Sequence, residues 1–214
     1  FSRYNDVIMA RLFDHQHIIE LAEYSDIPVI NGLTDYNHPC QIICDILTIW
    51  EHKGSLDNLK ICYMGDGNNI VHSWLQLASR LPIDFVCCGP EGFEPDFDTV
   101  KMVEDSTSSS FQLSHDPISA VRGADVIYTD VWASMGQKEE ATEREKVFAP
   151  YQVNKDLINN TGKNTLFMHC LPAERGREVT DEVMESKNSI VFDQAENRMH
   201  AQNAIMAYLT NNYS

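Results

Sequence analysis

Short apolar runs alternate with amphipathic stretches along the whole chain. Residues 6–13, 27–31, 59–64, 84–88, 111–113, 126–129 and 165–168 have the concentrated apolar character of strands, bounded by Asn, Asp, Gly and Ser. Helical patterns cover 17–24, 39–52, 69–80 and 97–104, then run from Asp116 to near Gly123 and from Asp193 onward. Pro39 suits the first turn of its helix, where a missing N–H costs nothing. Residues 106–110 read as a polar loop, and 138–146 as a mixed-charge helix that needs only a solvated face. Met199, Met206 and Tyr208 of the last helix read as core. Strands and helices in this rhythm predict an α/β fold: a doubly wound parallel sheet with helices on both faces, plus the remnant of a second α/β domain. The remnant is expected over 1–38, with the helix from Pro39 as the bridge.

A doubly wound sheet binds ligands beyond the carboxyl ends of its strands. Three polar clusters follow predicted strands: 65–69 (Gly-Asp-Gly-Asn-Asn), 130–136 (Asp-Val-Trp-Ala-Ser-Met-Gly) and 169–172 (His-Cys-Leu-Pro). They are expected to share one rim and form one site.

Composition narrows what that site can be. The net charge of −16, with scattered basic residues, excludes a phosphate-backbone or anionic-membrane partner. A small anion can still be held by a few arginines and helix N-termini. The six cysteines, Cys40, Cys44, Cys62, Cys87, Cys88 and Cys170, include no CxxC pair, which fits a reducing compartment rather than a disulfide framework. No apolar stretch reaches the roughly 18 residues that span a membrane. The chain opens on Phe1 and mixed polar residues, which reads as a fragment or processed product without a signal peptide.

Residue by residue, each signal has a plain alternative. The 65–69 loop is either a capped βα turn or a ligand loop, and Ile70 stands where a dinucleotide fingerprint needs glycine. His38 and Gln41 lie at a helix N-terminus, where a carbonyl or phosphate can be held, although a loop histidine is commonly just solvated. Cys170 follows His169, but neighbours on a strand face opposite ways. A thiol that hydrogen-bonds a substrate amine is therefore easier to build than a Cys–His nucleophile, and a buried structural cysteine stays open. Asp130 can pair with an ammonium and Ser134 with a carboxylate or amine, or both can belong to a simple connection. Arg11 stands inside an apolar strand, which is costly unless its guanidinium meets an anion. Arg198, in the last helix, is less telling.

Jointly these segments resemble one family, the ornithine carbamoyltransferases, along essentially the whole chain. The matching segments are 35–41 (Asp-Tyr-Asn-His-Pro-Cys-Gln), 65–69, 130–136, 169–172 and 195–198 (Ala-Glu-Asn-Arg). His-Pro-x-Gln is shared with the wider carbamoyltransferase group, including the aspartate enzymes; Ser-Met-Gly and the cysteine of His-Cys-Leu-Pro are more specific to the ornithine branch. The resemblance implies transfer of the carbamoyl group from carbamoyl phosphate to the δ-amine of L-ornithine, giving citrulline and phosphate, without metal or organic cofactor. It implies that Asp130 and Cys170 orient the amine. Asn69, Asp130, Ser134 and the Met135 backbone hold the α groups. Arg11, His38, Gln41 and Arg198 grip carbamoyl phosphate, and the Leu171 carbonyl takes its NH2.

Residues 39–194 would then be the ornithine-binding domain, and 195–214 a helix returning to the carbamoyl phosphate-binding domain. The Ser-Thr-Arg-Thr phosphate motif of that domain does not occur here. The 214 residues alone are therefore expected to be nearly inactive and to expose an apolar patch. Relatives are homotrimers, cytoplasmic or, in eukaryotes, in the mitochondrial matrix; trimer formation by this chain is in question. The rival readings are a relative acting on another amine, such as putrescine or an acylated ornithine, and a non-catalytic ornithine-binding remnant.

Overall fold

The computed structural model describes residues 1–106, 108–133 and 141–212. The chain opens with β1 (Ile8–Arg11), α1 (His15–Glu23) and β2 (Val29–Leu33), the two strands pairing in parallel as a small sheet. Helix α2 (Pro39–Lys53) leads to the main sheet, beginning with β3 (Leu59–Met64), α3 (Asn69–Ala78), β4 (Ile83–Cys88) and α4 (Phe97–Glu104). Then come β5 (Ser110–Ser114), α5 (Pro117–Ala120), β6 (Val126–Thr129), α6 (Ala141–Phe148) and α7 (Lys155–Asn159). Strand β7 (Leu166–His169), α8 (Asp181–Met184) and α9 (Val191–Asn212) complete the order.

The main sheet is parallel throughout, in the order β5-β4-β3-β6-β7. The chain winds outward from β3 to β5, then returns to add β6 and β7 on the other side. This is the expected doubly wound topology, and its reversal between β3 and β6 opens a crevice at their carboxyl ends.

Parallel strands covered on both faces read as continuous apolar runs. In β3 only Lys60 escapes full burial. Leu59, Ile61 and Tyr63 join one core with Ile42, Ile49, Trp74 and Leu75; Cys62 and Met64 join the other with Val121, Val153, Phe167 and Val183. The adjacent Cys87 and Cys88 fall into opposite cores, and all six cysteines are free thiols.

Boundaries differ from expectation where local chemistry intervenes. Strand β2 starts two residues late because Ser25 hydroxyl donates to the Ile27 carbonyl and holds a turn there. Helices α7 and α8 were not anticipated; at five and four residues they are too short to show a helical period. The last helix does not bury Met199, Met206 or Tyr208, which are exposed. Its buried positions Gln194, Asn197 and Ala201 recur at helical spacing, and the first two donate hydrogen bonds to α2, leaving Met199 and Met206 exposed.

Among the glycines, Gly67 is fixed by close approach. Its N–H donates to the Phe93 carbonyl at 2.8 Å, and a Cβ there would lie 2.3 Å from the Pro95 nitrogen. Backbone cannot yield as a side chain can, so Gly67→Ala is expected to cost about 1–3 kcal/mol or more in urea unfolding. A midpoint equal to wild type would contradict this packing.

Candidate active site

A cavity of about 730 Å3 opens at the carboxyl ends of β3, β6 and β7 and the N-terminus of α2. That lies within the roughly 300–1,000 Å3 of small-molecule sites. The cavity brings together Arg11, His38, Gln41, Asn69, Asp130, Cys170, Leu171 and Arg198, as the sequence led us to expect. Ser134, Met135 and Gly136 lie outside the described residues.

One end of the cavity is built around a carboxylate. Asp130 follows β6 and is nearly buried. Cys170 Sγ donates to its Oδ1 at 3.0 Å, and Asn68 Nδ2 donates to its Oδ2 at 3.0 Å. Asn68 also caps α3, its Oδ1 accepting from the N–H groups of Ile70 and Val71. One side chain thus ties the start of a helix to the carboxylate at the next strand's end. Burial and the Asp130 charge push the Cys170 thiol well above its ordinary range. It stays protonated and donates, which removes the nucleophile reading.

His169 turns away from the cavity. Its Nδ1 accepts from Leu171 N–H at 2.9 Å, and its Nε2 donates to Glu178 Oε1 at 3.1 Å, both side chains fully buried. This holds Leu171 at φ +56°, a left-handed conformation that costs a branched residue on the order of 1 kcal/mol. Asp130, His169 and Cys170 place ligand-type atoms within 4.8 Å of one another. Both His169 nitrogens are already engaged, so only two of the three are available to an ion.

The other end is cationic. Arg11 and Arg198 line it, and α2 points its N-terminus there. Arg11 closes β1 and is exposed, so the burial cost anticipated for it does not arise. His38 is buried, its backbone N–H fixed to Ser73 Oγ at 2.7 Å and its Nδ1 without a partner among the described residues. Burial, then the charges of Arg198 and Arg11, lower its pKa to about 4. The ring is therefore neutral near pH 7, able to donate one N–H without adding charge.

A buried ion pair had no signal in the pattern. Arg144, on the mixed-charge helix α6, is buried rather than solvated. Its guanidinium bonds Asp66 and the Trp132 carbonyl and lies 5.0 Å from the Phe148 ring centre. Burial raises the Asp66 carboxyl and Arg144 pulls it back. The pair joins the loop after β3 to the segment after β6.

Fold and cavity define a doubly wound α/β protein with a site polarised for a ligand bearing groups of both charges. Two family models match it: the carbamoyl-P binding domain of aspartate/ornithine carbamoyltransferase over residues 1–51, and the Asp/Orn binding domain over 57–209. The chain belongs to the aspartate/ornithine carbamoyltransferase family. The chloroplastic ornithine carbamoyltransferase of Pisum sativum is 62% identical over 208 residues, covering 97% of this chain and 56% of that protein. The Pyrococcus abyssi ornithine carbamoyltransferase is 54% identical over 97% of this chain and 67% of its own length. The solved Pyrococcus furiosus ornithine carbamoyltransferase superposes with a TM-score of 0.93 at 54% identity, covering 98% of this chain and 68% of that one. The chain thus spans between about half and two thirds of these relatives.

The buried neutral His38 makes a pH prediction. The unfolded ring, at 6.5, binds a proton that the folded ring, at about 4, refuses. Its stabilising contribution is complete above pH 6.5 and lost as pH falls to 4, on the order of 3 kcal/mol. Asp45, whose carboxyl burial raises to about 7, acts in the opposite sense over this range. The difference between wild-type and His38→Gln urea titrations isolates the histidine; a pH-independent difference would contradict its neutral state.

Proposed function

We propose that this chain carries the ornithine-binding half, and part of the carbamoyl phosphate-binding half, of an ornithine carbamoyltransferase. The observation that carries this is the Cys170–Asp130–Asn68 hydrogen-bond chain facing Arg11, His38 and Arg198 across one cavity. A carboxylate at one end suits an ammonium and guanidiniums at the other suit a phosphate.

In this reading Arg11 and Arg198 hold the phosphate, and His38 donates to the carbamoyl oxygen. Gln41 and the Leu171 carbonyl take the carbamoyl NH2. Asn69, Asp130, Ser134 and the Met135 backbone hold the α groups of ornithine. The δ-ammonium, with a solution pKa of about 10.4, must first lose a proton to solvent to become a nucleophile. Asp130 and the Cys170 thiol orient the neutral amine. Its lone pair forms the new C–N bond at the carbamoyl carbon, and negative charge develops on the carbamoyl oxygen, where His38 and the guanidiniums stabilise it. The bond from the carbamoyl carbon to the bridging phosphate oxygen then breaks, phosphate leaves with the bonding pair, and one amine proton passes to it.

The same reading assigns 1–38 to the carbamoyl phosphate-binding domain, 39–194 to the ornithine-binding domain and 195–214 to a helix returning to the first. It carries a homotrimer in the cytoplasm, or in the mitochondrial matrix of a eukaryote. No helix among the described residues is long and apolar enough to cross a membrane.

Citrulline formation by the naturally encoded protein tests the proposal. Asp130→Asn is expected to lower kcat/KM for ornithine by about 10²–10⁴-fold. Putrescine, lacking the α groups, is expected to be at least about 10²-fold poorer than ornithine. Absence of citrulline at saturating substrates, or equal use of the two amines, would refute the assignment.

A further inference from the structure

Asp45 is fully buried midway along α2, and the reaction outlined above gives it no part. Its Oδ1 accepts from Gln41 Nε2 at 2.8 Å and from Gln194 Nε2 at 2.7 Å; its Oδ2 accepts from the Tyr128 hydroxyl at 2.9 Å. Gln194 in turn takes the His169 N–H onto its Oε1 at 3.0 Å. One carboxyl group therefore ties α2, β6 and α9 to the strand end that carries Cys170 and Leu171.

The consequence lies at Gln41. An amide has one donor end and one acceptor end, and a buried carboxyl fixes which is which. With its NH2 turned inward to Asp45, Gln41 leaves Oε1 buried with no partner among the described residues, on a side chain that lines the cavity. A buried acceptor without a donor costs about 1–3 kcal/mol, which a ligand N–H recovers on binding. We propose that Asp45 is a positioning residue for donor-substrate specificity: it locks the Gln41 amide so that Oε1 selects a carbamoyl NH2 over a methyl group. This rests on the functional reading above, in which Gln41 contacts the carbamoyl group.

The lock does not depend on charge. Burial raises the Asp45 carboxyl to about 7, with Gln41, Gln194 and Tyr128 opposing. An ionised Oδ1 accepts both amides; in the protonated acid Oδ1 still accepts both while the Oδ2 hydroxyl turns to the Tyr128 oxygen.

The test compares carbamoyl phosphate with acetyl phosphate, which keeps the phosphate and carbonyl but carries CH3 in place of NH2. Calorimetric Kd values are measured on the naturally encoded protein. Wild type is expected to favour carbamoyl phosphate by about 10²-fold, about tenfold for each of the two acceptors, Gln41 Oε1 and the Leu171 carbonyl. Asp45→Leu, which frees the amide to turn, is expected to lower that ratio by about tenfold. Asp45→Asn can present Oδ1 to both glutamines and its NH2 to Tyr128, so it should keep the wild-type ratio. A folded Asp45→Leu variant that discriminates like wild type overturns the proposal, as does an equal loss in Asp45→Asn. Should Asp45→Leu not fold, NMR of wild type decides: the Gln41 side-chain NH2 should exchange slowly with solvent before and after carbamoyl phosphate is added. Fast exchange overturns the lock. Failure of wild type to bind either acyl phosphate would instead sink the functional reading on which the lock rests.

Discussion

The reversal of strand order between β3 and β6 is the constraint from which the site follows. On one side of that line the chain leaves β3 toward β4; on the other it leaves β6 toward β7. The loops after β3 and β6 diverge, and neither helix covers the gap above the two strands. Asn68 sits at the first of these loops and Asp130 at the second, and their hydrogen bond spans the divide. The Arg144–Asp66 pair spans it again from the outer side.

Polar groups buried this way need complete partnering, and the molecule largely supplies it. Asp45 has donors for both oxygens, His169 uses both nitrogens, and Thr48 and Glu51 accept from Asn197. These groups lie between α2, α9 and the strand ends, where apolar packing would leave the register of the two helices loosely set. A carboxyl flanked by two amides fixes that register at the distance of a hydrogen bond. Two of the exceptions belong to the cavity: Gln41 Oε1 and His38 Nδ1 lack partners among the described residues, and both residues line it.

How much of this the sequence disclosed depended on how each residue announces itself. Strand β3 was legible because a doubly covered strand is an unbroken apolar run, and α2 because Pro39 marks its first turn. The loops carrying Asn69, Asp130 and Cys170 were legible because small and polar residues follow apolar runs there. Gln41 stood out with His38 by its place at the start of α2, whereas the family resemblance, rather than the pattern, singled out Leu171. Arg144 was not legible: a mixed-charge helix reads as solvated whichever of its charges turns inward. Asp45 could have been found, since it stands alone among apolar residues of α2, four positions after Gln41 and on the same face. Gln194, another of its partners, is 149 residues away and sends no local signal.

The strongly acidic composition and an anionic ligand are compatible once distance is considered. The net charge of −16 is spread over the whole chain, and at physiological ionic strength exposed charges are screened beyond about 8 Å. Inside the cavity the nearest charges decide. Arg11 and Arg198 set the potential at the α2 end, reinforced by the N–H groups at that helix's N-terminus. The same two guanidiniums, after burial itself, hold His38 unprotonated. Gripping a phosphate and keeping the imidazole neutral are thus one electrostatic arrangement: the cations that favour the anion also prevent a further charge from forming beside it, so the ring contributes a hydrogen bond instead.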